Sequence, residues 1–337
     1  MDYRRLGRSG LKVSSLCLGA MMFGDQTSEA DSLEIIASAR EAGVNFIDTA
    51  DAYGAGRSEE IVGRAIRGER DRWVVATKAG FPAGLPNATG ADLSRAYLMR
   101  AAERSLERLG TDRIDLYYLH RDDLATPLEE TVRALADLQR QGKIRYIGVS
   151  NFRAWRLAEF VRLCDAAGID RPAACQPQYN AMNRMPEAEL LPACQFYGVG
   201  VAPYSPLARG VLTGKYASLA QLPEGSRAAR GDRRMQQTEL RAESLDAALR
   251  IKAHAEARGG SSSHFAINWV RSNALVDSVI AGPRTLAQWQ DYMAALEAPS
   301  FDAEDEAVVD ALVPPGHPST PGFTDPQYPV TGRVARR

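Results

Sequence analysis

Short apolar runs alternate along this chain with longer stretches in which apolar positions recur every three or four residues. LCLG (16–19) precedes a helical pattern over 28–42, and FID (46–48) precedes one over 58–67. WVVAT (73–77) is followed by a pattern over 94–109, and IDLYYL (114–119) by one over 127–141. YIGV (146–149) is followed by 153–167, and AAC (173–175) by 187–197. GVGVA (198–202) and SVIA (278–281) complete the set, each with helix after it. The alternation of these short runs with helices predicts parallel β/α units.

The local chemistry marks the boundaries. Thr126, Pro127 and Glu129 read as a capping box with proline at the first helical position, ahead of a stripe of Leu128, Val132, Leu135 and Leu138. Gly43 and Gly110 read as helix stops. The opening YRRLGRSGLKVSSL alternates and turns near Ser9-Gly10, which predicts a hairpin ahead of the first unit. A polar loop is expected over 216–237 and an irregular tail over 314–337, where prolines and glycines recur. Eight units can close a barrel or open into a doubly wound sheet. The open form would carry a GxGxxG turn after its first strand, and here that place reads Gly19-Ala20-Met21-Met22-Phe23-Gly24. Gly54-Ala55-Gly56 begins such a pattern, but Glu59 replaces the third glycine. We therefore expect an α/β fold of the (β/α)8 TIM-barrel class: a single domain over 1–313, with an N-terminal hairpin and the tail.

Composition narrows the function classes. The chain has 337 residues and a formal net charge of −1, so no basic surface is expected for nucleic acid. No apolar run reaches the length of a membrane span, and MDYRRLGRSG lacks the apolar core of a signal peptide. Cys17, Cys164, Cys175 and Cys194 form no CxxC pair, and the four histidines are scattered. Reduced cysteines, a cytoplasmic location and no metal site are expected.

In a β/α barrel the reactive groups sit at the C-terminal ends of the strands. Here those ends carry Asp48, with Tyr53 in the loop after it, then Lys78, His120, Ser150-Asn151, Gln176 and Tyr204-Ser205. Each alone has a bland reading, as a cap, a surface aromatic, a solvated amine or a loop imidazole. Four at successive strand ends form a chemical set. A phenol is a poor acid at neutral pH, and a neighbouring ammonium favours its phenolate. A carboxylate keeps the ammonium charged, and an imidazole can orient a carbonyl or join the proton transfer. Hydride has no side-chain donor, so a nicotinamide or a flavin is required.

These segments together resemble the aldo-keto reductases, over nearly the whole chain. GVNFIDTADAYGAGRSEEIVGRAI, ATKAG and LGTDRIDLYYLHRDD carry the four residues of the family's catalytic tetrad, Asp48, Tyr53, Lys78 and His120. IGVSNF supplies Ser150 and Asn151, which with Gln176 are implied to hold the nicotinamide carboxamide. APYSPLARGVLTGKY implies Tyr204 stacked on the nicotinamide, with Ser205, Leu207 and Arg209 along the pyrophosphate. Gly210 and Lys215 in that segment, and Gly19 and Met21 after the first barrel strand, join the implied cofactor contacts. IAGPRTLAQW is similar to the adenine-end motif and places Gly282, Arg284 and Gln288, with Arg284 suited to a 2′-phosphate; Tyr292 stands where that motif often has Asn. The resemblance implies reduction of an aldehyde or ketone to the alcohol with NADPH, reversible in principle, with Tyr53 as proton donor. Met22, Phe23, Phe81 and Arg121 are expected on the substrate side. Phe323 and Tyr328 of the tail are expected there or on the barrel's flank. The alternative is a redox-sensing regulatory or binding subunit of the same fold, as in the potassium-channel β subunits that resemble this family. The absence of a long segment ahead of the hairpin counts against it.

Overall fold

A computed structural model describes residues 1–81, 91–298 and 301–330. It divides into two compact units. The first comprises Met1–Pro177, Glu189–Tyr204 and Asn273–Ala294; the second comprises Gln178–Ala188, Ser205–Ser272 and Ala295–Arg337.

The first unit opens with an antiparallel hairpin, β1 (Tyr3–Arg5) and β2 (Lys12–Ser14). Eight parallel strands follow: β3 (Leu16–Gly19), β4 (Phe46–Asp48), β5 (Val74–Ala79), β6 (Ile114–Leu119), β7 (Ile144–Ser150), β8 (Ala174–Gln176), β9 (Gly200–Val201) and β10 (Val279–Ala281). From β3 to β9 each pairs with the next in chain order, and β10 pairs with β3. A parallel bridge between Tyr204 and Ile280, with the Ile280 amide donating to the Pro203 carbonyl at 2.9 Å, joins the remaining edge. The result is the expected (β/α)8 barrel. Every residue of β3, β4 and β6 is buried, as parallel strands covered on both faces require.

Alternate strand residues fill the barrel's interior. Cys17, Phe46, Ala76, Leu116, Tyr118, Ala174 and Ile280 belong to one apolar cluster, joined by Leu6 and Val13 of the hairpin. The interior tolerates the Tyr118 ring because the facing strand carries glycine: a Cβ on Gly148 would lie 2.4 Å from Tyr118 Cδ1. Asp277 ties the hairpin turn to the sheet, its Oδ2 accepting from the Gly7 amide at 3.0 Å and the Val201 amide at 3.1 Å.

The helices of this unit are α1 (Glu29–Glu41), α2 (Arg57–Ala65), α3 (Arg95–Leu109), α4 (Leu128–Arg140), α5 (Ala154–Ala167) and α6 (Leu190–Tyr197). Ser28 and Ser94 cap the first turns of α1 and α3 through the amides of Asp31 and Tyr97, and Gly110 ends α3 in the left-handed conformation. The stripe of Leu128, Val132, Leu135 and Leu138 is buried as its spacing predicts. The capping box expected at Thr126 does not form. The Thr126 hydroxyl donates instead to Asp123 Oδ2 at 2.6 Å, and Pro127 takes the cap position without a side-chain bond. A carboxylate three residues upstream outcompetes a helix amide for the hydroxyl.

The second unit holds α7 (Arg233–Thr238), α8 (Ala242–Ala257) and α9 (Ser262–Ser272); α10 (Leu286–Ala294) belongs to the first unit and α11 (Ala303–Leu312) to the second. Helix α7 corrects the expectation of a loop throughout 216–237. Asp232 caps it by accepting from the Met235 amide at 2.7 Å, and Met235 is fully buried. Arg184 anchors this unit from a buried position. Its guanidinium meets Glu187 at 2.9 Å, Asp310 at 2.6 Å and the Val313 carbonyl at 2.8 Å. Residues 314–330 form no helix or strand, and they are held by side chains from α7 and α8's N-cap: Asp325 receives both arms of Arg234, and Arg241 donates to Thr320 Oγ1 at 2.7 Å. The expected tail continues over 331–337, outside the described residues.

The Gly148–Tyr118 contact is testable. Gly148→Ala overpacks a closed interior, so its urea unfolding midpoint should fall by the equivalent of about 1–3 kcal/mol. An unchanged midpoint would show that the ring is not held against this strand.

Candidate active site

The polar residues at the strand ends converge as the alternation places them. Asp48 ends β4, Lys78 lies one residue from the end of β5, and His120 follows β6. Ser150 ends β7 and Gln176 ends β8. Tyr53 starts a short turn, Tyr53–Gly56, in which Gly54 and Ala55 both have positive φ. Ala55 pays a steric cost in that conformation, so the turn is held by its surroundings.

Lys78 is fully buried, and its ammonium is satisfied on three sides. It donates to Asp48 Oδ1, to the Thr49 carbonyl at 2.8 Å and to the Tyr53 hydroxyl oxygen at 3.2 Å. Asp48 accepts on its other oxygen from Gln176 Nε2 at 2.9 Å. Both carboxylate oxygens are acceptors, which fits an ionised acid. Burial opposes the Lys78 charge, but Asp48 and then Tyr53 outweigh it, so its pKa lies above the ordinary lysine value. Burial raises Asp48, and Lys78 and Gln176 pull it back. The ammonium also lies 4.7 Å from the centre of the Tyr53 ring.

His120 faces this group edge-on, with ring centres 5.7 Å apart from Tyr53 and 4.6 Å from Phe81. Burial, then the charges of Lys78 and Arg121, hold its pKa well below the ordinary imidazole value. Its Nδ1 is buried without a hydrogen-bond partner among the described residues. The Arg121 guanidinium lies 5.2 Å from the Phe81 ring centre, so Phe81, His120 and Arg121 form one wall.

The residues expected around a nicotinamide bond to each other. Ser150 Oγ donates to the Gln176 carbonyl at 2.8 Å, and Asn151 Nδ2 donates to the His120 carbonyl at 2.9 Å. The Tyr204 hydroxyl donates to Asn151 Oδ1 at 2.9 Å. Asn151 has a φ of 58°, a conformation that fixes where its amide points. Gly19 ends β3, and a Cβ there would stand 3.1 Å from Ile280 Cγ2 and 3.3 Å from Gly282 Cα, so the two glycines let these segments pack closely. Gln288 Oε1 accepts from the Arg284 amide at 2.8 Å, and Thr27 donates to the Arg284 carbonyl at 2.9 Å. Arg284 therefore has a fixed backbone under a half-buried side chain. Met21 is partly buried, Met22 is buried and Phe23 is fully buried.

In the second unit, Ser205, Ala208, Arg209 and Gly210 all have positive φ. They turn the chain sharply, and the Ala208 and Gly210 amides donate to the Ser205 and Leu207 carbonyls at 2.9 and 2.8 Å. Lys215 Nζ would lie 3.3 Å from a Cβ on Gly210, so a cation stands beside that turn. Arg209 donates to Thr238 Oγ1 at 3.3 Å, and Leu207 is buried. These features fit phosphate groups. Phe323 stacks on Arg241 with the guanidinium 3.8 Å from its ring centre, and the Tyr328 amide donates to the Asp325 carbonyl at 2.9 Å.

The sequence reading passed over a second buried cluster behind the tetrad. Thr77 Oγ1 donates to Glu59 Oε1 at 2.5 Å and Arg108 Nε to Glu59 Oε2 at 2.6 Å. Asp51 and Tyr97 lie beside it, 3.1 Å apart. The available signal was the pair of carboxylates, Asp51 and Glu59, inside one short segment of otherwise assigned residues.

Comparison with known proteins agrees with this geometry. A family model described as the aldo/keto reductase family matches residues 15–314. A rice protein named a probable voltage-gated potassium channel subunit beta is 38% identical over 320 residues, covering 93% of this chain and 97% of its own. An L-glyceraldehyde 3-phosphate reductase of Escherichia coli K12 is 33% identical over 327 residues, covering 94% and 93%. A versiconal hemiacetal acetate reductase of Aspergillus parasiticus is 34% identical over 342 residues, covering 93% and 98%. Among the described residues no helix is long and apolar enough to cross a membrane, and no group of three or more acidic, histidine or cysteine residues could hold a metal ion.

The depressed pKa of His120 gives a direct expectation. The folded state resists protonating this ring, so the ring's contribution to stability is complete above its unfolded pKa, near 6.5, and is lost as pH falls below it. Imidazole nitrogen shifts in NMR should show a neutral His120 at about pH 6, where a free histidine is mostly charged. A charged ring at that pH would contradict the site's electrostatics.

Proposed function

The chain belongs to the aldo/keto reductase family and is an oxidoreductase, and we propose that it reduces an aldehyde or ketone to the alcohol with NADPH, in the cytoplasm. One observation carries the reading: a fully buried ammonium held between the Asp48 carboxylate and the Tyr53 hydroxyl, with a neutral imidazole beside the phenol. When bound, the nicotinamide supplies hydride, which no side chain can.

The protein's own groups manage the proton. Tyr53 gives its hydroxyl proton to the substrate oxygen as negative charge develops there, and the Lys78 ammonium at 3.2 Å stabilises the phenolate left behind. Asp48 keeps that ammonium charged and in place, and Gln176 holds the second carboxylate oxygen. His120 acts as a neutral donor. Nδ1 has no partner among the described residues, so the proton is assigned to Nε2, from which it can reach a carbonyl oxygen. Water returns the proton to Tyr53 after turnover.

NADPH would be held by Gly19, Met21, Ser150, Asn151, Gln176, Tyr204, Gly282, Arg284 and Gln288. Ser205, Leu207, Arg209, Gly210 and Lys215 would hold its phosphates, as the cation beside the turn favours. The substrate side is assigned to Met22, Phe23, Phe81, Arg121, Phe323 and Tyr328. The second reading, a regulatory subunit, is supported by the name of the rice relative. Steady NADPH consumption with simple aldehydes, sugars or ketosteroid-like ketones separates the two, since the enzyme reading expects many turnovers.

Two substitutions test the assignments. Tyr53→Phe should lower the reduction rate by roughly 10²–10⁴-fold, the worth of a positioned proton donor, with NADPH affinity unchanged. A near wild-type rate sinks the mechanism. Arg284→Ala should weaken NADPH by about 1.5–3 kcal/mol, the range for hydrogen bonds to a charged group, and leave NADH nearly unaffected. Equal losses for both cofactors, read by quenching of protein fluorescence, would contradict a 2′-phosphate contact.

A further inference from the structure

Behind the wall formed by Phe81 and His120, three oxygens meet. The Tyr97 hydroxyl, on α3, contacts the Phe81 carbonyl and, at 3.1 Å, Asp51 Oδ2; the Gly80 amide donates to the same hydroxyl oxygen at 3.4 Å. A phenol has one proton, and a carbonyl can only accept. The Tyr97 proton therefore goes to Phe81. A carboxylate at Asp51 would then set two lone-pair oxygens against each other. A carboxylic acid at Asp51 resolves the contact by donating to Tyr97.

We infer that Asp51 is carried as a carboxylic acid and is a positioning residue: its proton commits the Tyr97 hydroxyl to the Phe81 carbonyl and so sets the wall against which His120 rests. The inference rests on the reading that His120 meets the substrate carbonyl. It concerns a residue outside the tetrad.

The surroundings agree. Asp51 is buried, its amide donates to the Lys78 carbonyl at 3.1 Å, and its Oδ1 meets no well-aligned donor among the described residues. Burial, then the negative charge of Glu59, raise its pKa from 3.8 to about 7, against the pull of Tyr97, Arg108 and the Ala52 amide. Glu59 comes from α2, Tyr97 and Arg108 from α3, and Tyr117 from β6; Lys78 turns its ammonium to Asp48 instead. Tyr97 itself stays a phenol, since burial and Asp51 raise its pKa. Loss of the Asp51 proton turns the Tyr97 hydrogen toward the new carboxylate and releases the Phe81 carbonyl. The Phe81 ring, 4.6 Å from His120 and under Arg121, then loses its fixed backbone.

The test uses the whole protein and Asp51→Asn, which keeps a donor for Tyr97 and cannot ionise. Infrared difference spectra at about pH 6 should show a carboxylic-acid C=O stretch that Asp51→Asn lacks and that titrates away near neutrality. In wild type the KM for an aldehyde should rise about 2–10-fold between about pH 6 and 8.5, the worth of one hydrogen bond, with kcat less affected. Asp51→Asn should abolish that rise. Tyr97→Phe should show the raised KM at every pH. Because the folded pKa lies above the unfolded one, wild-type stability falls as pH climbs from about 4 through 7, so the urea midpoint of Asp51→Asn should pull ahead of wild type over that interval. Absence of the acid band at pH 6, or a stability gap that ignores pH, overturns the protonated state. An unaltered KM–pH profile in Asp51→Asn overturns the positioning step. A wild-type protein that turns over no aldehyde defeats the reductase reading instead, and the infrared band and stability gap still decide the state of Asp51.

Discussion

The buried pair of Lys78 and Asp48 is the constraint on which the rest of this site depends. Two charges in a closed interior are tolerable only when each is matched, and loss of one partner from such a pair costs about 3–5 kcal/mol. Here the matching is complete: the ammonium meets Asp48, the Thr49 carbonyl and the Tyr53 hydroxyl, and the carboxylate takes Gln176 on its free oxygen. Adjacent strands hold the pair, with Asp48 of β4 in register with Ala76 of β5, two residues before Lys78. Barrel geometry thus supplies the alignment, and the uncharged interior below, filled by Phe46, Leu116 and Tyr118, denies the charges any other partner.

The same pair sets the electrostatics of its neighbours. Burial, reinforced by the Lys78 and Arg121 charges, keeps the His120 imidazole neutral, so the site has a hydrogen-bond donor beside a phenol without adding a second charge. The polar residues farther along the rim brace each other from Gln176 through Ser150 and from His120 through Asn151 to Tyr204. Their side chains are ordered before any ligand arrives, which lowers the ordering cost of binding.

Much of this was legible in the sequence, for identifiable reasons. Strands buried on both faces leave short, mainly apolar runs, so LCLG, FID and IDLYYL coincide with β3, β4 and β6. The tetrad was legible because each member lies at or just beyond the end of such a run. Tyr97 and Asp51 were not, because their meaning lies in a proton count among three oxygens that only the folded chain brings together. Thr126 misled because the competing acceptor, Asp123, lies upstream of the motif. Helix α7 was hidden in a polar stretch, where its buried residues are Met235 and Thr238. The tail's prolines and glycines correctly excluded regular structure, but not where Arg234 and Arg241 would fasten it.

The barrel's seam has a further consequence. Strand β9 is two residues long, and its junction with β10 consists of the bridge of Tyr204 with Ile280 and of the Asp277 and Ile280 amides, which donate to the Val201 and Pro203 carbonyls at 2.9 Å. A two-residue strand offers fewer ladder bonds than its longer neighbours, so local opening of the first unit is expected along this line. Tyr204 is also the residue proposed to carry the nicotinamide. A ligand that binds only the closed form stabilises it by mass action. Occupancy of the site and closure of the cylinder are then one equilibrium, and the slowing of amide exchange at Ile280 becomes a measure of how full the site is.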